Sequence, residues 1–185
     1  MKKVFLISVL SLAIITGRAQ VNFGAKAGIN LANITGKKVD GYRSKAGIYL
    51  GGFANLPLTT QLSVQGELMY SAQGARWDDD NEKTTLNYLQ LPLLAKYAIG
   101  KGFYAEAGPQ LGFLLKAEDD NEGELNDIKE YLKKTDVSLA IGAGYNVTEN
   151  VSVNARYNFG LTKFYEEEKN SVMQLGLSYI FGKKK

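Results

Sequence analysis

The sequence contains neither cysteine nor histidine among its 185 residues. Without cysteine, the chain cannot form a disulfide, a thiolate metal site, a cysteine nucleophile or a lipidated cysteine. Without histidine, it cannot by itself build the Ser–His pairs that most hydrolases use. Carboxylate-only catalysis stays open in principle, but no spacing supports it. We therefore expect no catalytic residue, no cofactor and no enzymatic activity.

Proline is also scarce, with 3 residues, whereas glycine and tyrosine are abundant, with 20 and 11. Few prolines and many tyrosines are typical of β-structure, and glycine allows close approach of neighbouring strands or bulky side chains. Hydrophobic residues make up 45% and charged residues 22% of the chain. This composition is typical neither of a disordered chain nor of a helical membrane protein.

Long apolar runs are absent after the first residues. Lys2 and Lys3 precede an apolar run over residues 4–16, which is short for a membrane-spanning helix. Gly17 and Ala19 then supply the small residues of a cleavage site. We interpret residues 1–19 as a secretory signal peptide, with an N-terminal anchor helix as the alternative. Its removal would take three basic residues from the 22 in the chain and leave 19 basic against 19 acidic residues. The neutral remainder gives no indication of nucleic-acid binding.

Apolar residues alternate with polar residues or glycine along the rest of the chain, which is the pattern of a strand with two different faces. Between Val21 and Leu31, every odd-numbered residue is apolar and every even-numbered one is polar or glycine. The pattern recurs in eight segments of about ten residues each, the length of a tilted transmembrane strand. The predicted strands are Val21–Leu31, Ala46–Leu56, Leu62–Ala72, Asn87–Tyr97, Phe103–Leu115, Val137–Tyr145, Val151–Leu161 and Met173–Phe181.

The connections between these strands alternate in length. Those after the first, third, fifth and seventh strands are long and charged, whereas the other three are short. An even number of strands with long loops at one end is typical of an outer-membrane barrel. We therefore predict an all-β fold, an eight-stranded antiparallel up-and-down transmembrane β-barrel over residues 20–185, located in the bacterial outer membrane. A soluble exported lipid-binding barrel is the alternative.

The two barrel types differ in which face points outward. Three features favour an apolar exterior in contact with lipid. Glycines on the polar face suit a narrow lumen, aromatic residues near strand ends on the apolar face suit interfacial girdles, and the predicted signal peptide places the chain outside the cytoplasm. These aromatic residues are Phe23, Tyr70, Tyr97, Phe103, Tyr145 and Phe181. The polar face, on which Lys116 also falls, would then line the lumen.

Six charged residues on the polar face are the most informative set. An ion inside a narrow barrel must be paired, because an isolated buried charge is very unfavourable. We predict an ion-pair network in which Glu67 and Glu106 accept hydrogen bonds from Lys96 and Arg156. Such a network would plug the lumen; a gated ion or proton path is the alternative. The set is Lys26, Glu67, Lys96, Glu106, Asp136 and Arg156.

The predicted loops are rich in acids. Asp78, Asp80 and Glu82 alternate as in a calcium loop, but Lys83 stands where that loop requires glycine, so they are weak metal candidates. Further acids occur at residues 118–124 and 166–168, and we interpret all three groups as solvated loop residues, expecting no bound metal. Leu125–Lys134 has helical spacing and predicts a short helix.

Four segments resemble the PorT-like family of outer-membrane β-barrels, which is often labelled porin-family. They are Lys26–Leu31, Gln65–Ser71, Leu86–Tyr97 and Ala107–Gly112. The resemblance implies a barrel of OmpA or OmpX size and, for the member after which the family is named, a part in protein secretion. We expect a structural or interaction role, with secretion or transport as the alternative. The expected partners are outer-membrane lipid, lipopolysaccharide, the outer-membrane assembly machinery and envelope or secretion proteins, but no nucleic acid.

Overall fold

The structure is a computed structural model that describes residues 20–35, 42–77, 82–121, 124–163 and 169–182. These residues form nine β-strands and one 3₁₀ helix, Lys129–Tyr131. The strands are β1 (Asn22–Thr35), β2 (Tyr42–Pro57), β3 (Leu62–Trp77), β4 (Glu82–Gly100), β5 (Phe103–Asn121), β6 (Glu124–Asp127), β7 (Thr135–Asn146), β8 (Val151–Gly160) and β9 (Lys169–Ile180). No helix in this part of the chain is long and apolar enough to cross a membrane.

Eight of the strands close into a barrel. Their order is β4-β3-β2-β1-β9-β8-β7-β5, and β5 pairs back with β4 to complete the ring. Every pairing is antiparallel, and β1 and β9 join the two ends of the chain. The predicted eight-stranded antiparallel barrel is confirmed, and β6 is an addition that pairs with the last four residues of β5.

The apolar face of the barrel points outward. Ile48, Leu93 and Leu177 expose 56%, 55% and 58% of their surface, whereas Glu67 and Arg156 on the other face expose 5% and 3%. A soluble barrel would need the opposite arrangement, with leucines inside and ions in water. The lipid-facing interpretation is therefore confirmed, and the soluble alternative is wrong.

One end of the barrel, here called the turn end, carries the three short connections. In two of them a threonine stabilises the turn in the same way. The hydroxyl of Thr59 accepts hydrogen bonds from the backbone N–H groups of Gln61 and Leu62 at 3.2 and 2.9 Å. The hydroxyl of Thr148 does the same for Asn150 and Val151 at 3.2 and 3.0 Å. Such side-chain bonds satisfy turn donors that no strand can pair. The opposite end is the loop end.

Aromatic residues form a girdle around the turn end. The exposed rings there include Phe23, Tyr97, Phe103, Tyr145 and Phe181, and the centroids of the Phe103 and Tyr145 rings lie 4.7 Å apart. These five were predicted as girdle residues, and their exposure at strand ends agrees with that role.

Tyr70 departs from the girdle prediction. It lies near the middle of β3, where it pairs with Leu50 on β2 and Leu89 on β4. The difference arises because β3 runs five residues beyond its predicted end at Ala72. The residue that was predicted to lie near a strand end is therefore central.

Glycines on the inner face make room for tyrosine side chains. A Cβ atom on Gly176 would lie 2.1 Å from the Tyr49 hydroxyl oxygen, and one on Gly28 would lie 2.7 Å from the Tyr49 ring. A third glycine, Gly144, leaves space for the Tyr104 ring, which a Cβ would approach to 2.3 Å. The lumen is barely wide enough for side chains. The two tyrosines fit inside it because the glycines next to them have no side chain.

A bulge between β4 and β5 reverses the alternation near the loop end. Asn87 pairs with Lys116 and Tyr88 pairs with Leu114, so the extra residue lies in β5. As a result the Lys116 side chain is 57% exposed and forms an ion pair with Glu118 at 2.6 Å, while Ala117 is fully buried. The prediction that Lys116 faces the lumen is wrong, because a bulge shifts the period-two pattern by one residue.

The strands continue into segments that were predicted as loops. β4 and β5 have 19 residues each, whereas about 9–11 residues cross a bilayer. The predicted helix over Leu125–Lys134 is wrong, since the chain from Glu124 to Asp127 pairs with β5 as a strand and only one 3₁₀ turn follows. The backbone edge of β5 supplies hydrogen bonds that outweigh the local helical spacing.

Candidate functional site in the barrel lumen

The structure brings five of the six predicted charged residues together in the lumen. We call Lys26, Glu67, Lys96, Glu106 and Arg156 the ion cluster. They come from five different strands, β1, β3, β4, β5 and β8, and each occupies an inward position of its strand's alternation. Barrel closure is what makes them neighbours, since Glu67 and Arg156 are 89 residues apart in sequence.

Arg156 is the centre of the ion cluster. Its Nη1 and Nη2 atoms donate to the two oxygens of Glu67 at 2.8 and 2.7 Å, which is a bidentate pair. Its Nε atom donates to Oε1 of Glu106 at 2.8 Å. A planar guanidinium fits two carboxylates in this way because its donors have a rigid fork geometry. One side chain thus links β8 to β3 and β5 across the lumen.

Lys26 is a second cation near both carboxylates. Its Nζ atom is 3.5 Å from Oε1 of Glu67 and 3.8 Å from Oε1 of Glu106. Gln65 adds a neutral donor, as its Nε2 atom donates to Oε1 of Glu67 at 2.7 Å. Glu67 therefore accepts from three side chains and is the most fully satisfied carboxylate of the cluster.

Lys96 is held more loosely. Its Nζ atom donates to Oε1 of Gln65 at 3.2 Å and lies 4.0 Å from the centre of the Tyr104 ring. The carboxylate oxygen Oε2 of Glu106 is 3.9 Å away, which is too long for a hydrogen bond. The Lys96 side chain is 17% exposed, compared with 2% for Lys26. Lys96 is thus the accessible cation of the ion cluster.

Asp136 lies apart from the ion cluster, contrary to its predicted place in the network. It is near the loop end of β7, six residues before Gly142, which is the residue that pairs with Glu106. Six residues of strand span roughly 20 Å. Its Oδ1 atom accepts a hydrogen bond from the Thr162 hydroxyl at 2.8 Å, and that hydroxyl accepts one from the backbone N–H of Val137, also at 2.8 Å. Asp136 therefore stabilises the start of β7.

By formal charge, the ion cluster has more positive than negative groups. Three cations and two carboxylates leave a surplus of one positive charge. Burial of each ion costs several kcal/mol, and the mutual attraction offsets this cost only when geometry is good. The bidentate Arg156–Glu67 pair meets that condition, whereas the surplus charge is the least compensated part of the cluster.

Neutral side chains extend the lumen network toward both ends. Asn30 donates to the Ser71 hydroxyl at 2.8 Å and accepts from Gln174 at 3.0 Å. The Tyr49 hydroxyl donates to Asn154 at 3.3 Å. These residues were not predicted as site residues, although the same alternation placed each on the polar face.

A small apolar core lies near the loop end, on the neighbouring strands β3, β4 and β5. Its buried residues are Ala75, Leu86, Tyr88, Leu114 and Ala117, and the partly buried Ile128 and Leu132 pack against it. The bulge in β5 turns Ala117 inward. Ile128 and Leu132 flank the 3₁₀ turn and pack against the core. The sequence could not indicate this core, because the bulge in β5 reverses the alternation between two of its members, Leu114 and Ala117.

The metal candidates receive no support from the described residues. Asp78 and Asp80 lie outside them, as do residues 166–168, and Glu82 begins β4. Within the described part of the chain, no group of three or more acids is placed to hold a metal ion. Of the remaining acids, Asp119 accepts a hydrogen bond from the Thr84 hydroxyl at 3.0 Å.

Comparisons with known proteins agree on the fold. Neisserial surface protein A (NspA) superimposes with a TM-score of 0.61 at 16% identity, covering 86% of this chain and 98% of the other. The attachment invasion locus protein Ail of Yersinia pestis does so with a TM-score of 0.58 at 16% identity, covering 88% and 99%. No curated protein matches the sequence. A family model described as the outer membrane protein beta-barrel domain matches residues 16–166. The chain therefore belongs to the outer-membrane β-barrel domain family and is a protein of the outer membrane.

Proposed function

We propose that this protein is a closed, non-conducting barrel with a structural or interaction role in the outer membrane. The observation that carries the proposal is the ion cluster, in which Arg156 bonds to carboxylates on β3 and β5. In a barrel whose interior is barely wide enough for side chains, a salt bridge that crosses the lumen would block a continuous water path.

A second closure supports the same proposal. The apolar core at the loop end lies on the other side of the polar network, and Ile128 and Leu132 pack on it. An ion that passed the cluster would still meet the apolar side chains of this core, which cannot replace its hydration shell. The two closures are chemically different, so the loss of one does not remove the other.

The interaction role rests on a sheet that projects beyond the membrane. At about 3.3 Å per residue, the 19 residues of β4 or β5 span roughly 60 Å along the strand, and even at a tilt of about 45° this exceeds an apolar band about 25 Å tall. The projecting parts of β2, β3, β4 and β5 remain paired, and β6 adds an outer edge. Leu125 and Tyr131 there are 64% and 78% exposed. A hydrogen-bonded sheet with exposed apolar residues is suited to contact a partner.

Conductance in planar bilayers tests the plug. We expect the wild-type barrel to give no steady open channels under a transmembrane voltage. Arg156→Ser shortens the side chain that crosses the lumen, and we expect it to leave the lumen closed because the apolar core remains. Adding Leu86→Ser opens the second closure, so we expect steady conductance only in the double variant. Steady channels from the wild type would refute the plug.

A secretion role, which the PorT-like resemblance implies, would need a surface for secretion proteins. The residues of the resembling segments include Tyr88, Gln90, Leu94 and Gln110, which are all buried inside the barrel. They support the barrel interior and do not form a partner surface. Cross-linking in whole cells at Leu125 would separate the roles: adducts with secretion proteins would favour secretion, and adducts with other envelope or external proteins would favour the interaction role proposed here.

A further inference from the structure

The lumen opens at the turn end into a cavity that the plug does not use. The cavity has a volume of about 240 Å³ and lies between the ion cluster and the turn that joins β2 to β3. Its neutral polar lining includes Asn22, Asn55, Ser63, Ser152 and Ser178. This volume is below the usual range for drug-sized ligands, about 300–1,000 Å³, so the occupant must be small.

Lys96 gives this cavity its charge. Of the described residues that line the cavity, Lys96 is the one ionic side chain, and the other lining residues are neutral. The carboxylates of Glu67 and Glu106 do not line it. The surplus positive charge of the ion cluster is therefore presented to the cavity and not to the loop end.

Among the described residues, the acceptors near Lys96 do not use all three donors of its ammonium group. One donor bonds to Gln65. Oε2 of Glu106, at 3.9 Å, is buried without a hydrogen-bond partner among the described residues, so the carboxylate does not saturate the lysine. The Tyr104 ring lies 4.0 Å from Nζ and attracts the cation without accepting a conventional hydrogen bond.

We propose that the turn-end cavity binds a small oxyanion, with a carboxylate or phosphate group on Lys96 and hydroxyl or amide groups of the lining around it. The Ser63, Ser152 and Ser178 hydroxyls and the Asn55 amide belong to that lining. A charge-assisted bond to an ammonium group is stronger than a neutral one, and the anion would neutralise the surplus charge of the ion cluster. Because the turn end faces the periplasm in barrels of this type, the ligand would be a periplasmic metabolite or a phosphate-bearing headgroup.

Nuclear magnetic resonance of the ¹⁵N-labelled barrel in detergent micelles tests the proposal. Sodium phosphate and sodium acetate are titrated separately at constant ionic strength, with sodium chloride as the balancing salt. We expect saturable shifts of the Gln65 side-chain amide and of the Ser63 and Ser152 backbone amides. Tighter binding of phosphate would assign a phosphate ligand, tighter binding of acetate would assign a carboxylate, and both results support the site.

The matched variants are Lys96→Gln and Lys101→Gln. Both remove one positive charge at the turn end, but Lys101 is an exposed turn residue and does not line the cavity. We expect Lys96→Gln to weaken binding at least about tenfold, equivalent to about 1.4 kcal/mol, and Lys101→Gln to change it less than twofold. Equal weakening by both, unchanged binding in Lys96→Gln or an absence of saturable shifts in the wild type would overturn the proposal.

A third variant keeps the test valid if Lys96→Gln fails to fold. If Lys96→Gln does not reach the folded, fast-migrating form on electrophoresis of unheated samples, Ser63→Leu replaces it. This change keeps every ion of the cluster and fills the cavity from β3, so we expect it to abolish the saturable shifts. Retained binding in folded Ser63→Leu would also overturn the proposal.

Discussion

Replacement of Arg156 by glutamine tests the ion cluster as a source of stability. The substitution removes the guanidinium that donates to Glu67 at 2.7 and 2.8 Å and to Glu106 at 2.8 Å. Glutamine is polar and shorter, so it cannot reach both carboxylates. The expected result is a less stable barrel that still folds with the same strand pairing.

The size of the stability loss depends on the contacts that Glu67 and Glu106 keep after the substitution. Loss of one partner of a buried ion pair costs about 3–5 kcal/mol, because a charge is left uncompensated. Here Lys26 remains 3.5 Å from Glu67 and 3.8 Å from Glu106, and Gln65 still donates to Glu67 at 2.7 Å. These contacts reduce the penalty, so we expect the lower end of the range, about 3 kcal/mol.

Urea unfolding in lipid vesicles, followed by circular dichroism and by the mobility of unheated samples, measures the loss. Arg76→Gln is the matched control, since Arg76 is exposed on β3 and a surface change of this kind usually alters stability by less than about 0.5 kcal/mol. In the double variant Glu67→Gln/Arg156→Gln, we expect a smaller loss than the sum of the single losses, with a coupling of about 1–3 kcal/mol. Unfolding of Arg156→Gln and Arg76→Gln at the same urea concentration would show that the ion cluster does not stabilise the barrel.

Two further predictions test the outer and inner faces. Leu91→Arg introduces a charge on the lipid-facing side of β4 and should cost about 2–4 kcal/mol in vesicles, whereas Leu125→Arg on the projecting sheet should cost little; equal losses would contradict the face assignment. Gly176→Ala places a Cβ 2.1 Å from the Tyr49 hydroxyl oxygen, whereas the Cβ of Gly66→Ala meets no atom of the described residues within 4 Å. We expect the first to destabilise by about 1–3 kcal/mol and the second to have a small effect, and similar urea midpoints for both would show that Tyr49 is not held as described.

The eight strands of the barrel and the direction of most of their side chains could be predicted from the sequence. Alternation of period two is a local property, and it places Lys26, Glu67 and Arg156 on one face without knowledge of the fold. The bulge at Leu115 could not be predicted in this way. A bulge inserts one residue and shifts the alternation by one position, and the spacing of apolar residues does not show where this happens. The same holds for β6, which is a strand only because β5 offers it a partner.

The ion cluster was likewise predicted only in part from the sequence. Five of the six predicted residues lie together. Asp136 does not join them, although the alternation places it on the same polar face. The height of a residue along the barrel axis depends on the register of each strand with its neighbours. That register places Gly142, and not Asp136, opposite Glu106.

By itself, the sequence determined that this chain has two chemically different faces and eight segments of membrane-crossing length, because both properties depend on neighbouring residues alone. Only the tertiary structure decided which ions meet, since Arg156 approaches Glu67 across a lumen that exists once β4 and β5 have closed the ring. It also decided that Lys96 faces a cavity at the turn end. Contacts across a barrel depend on strand register and closure, and the spacing of apolar and polar residues within a single strand specifies neither.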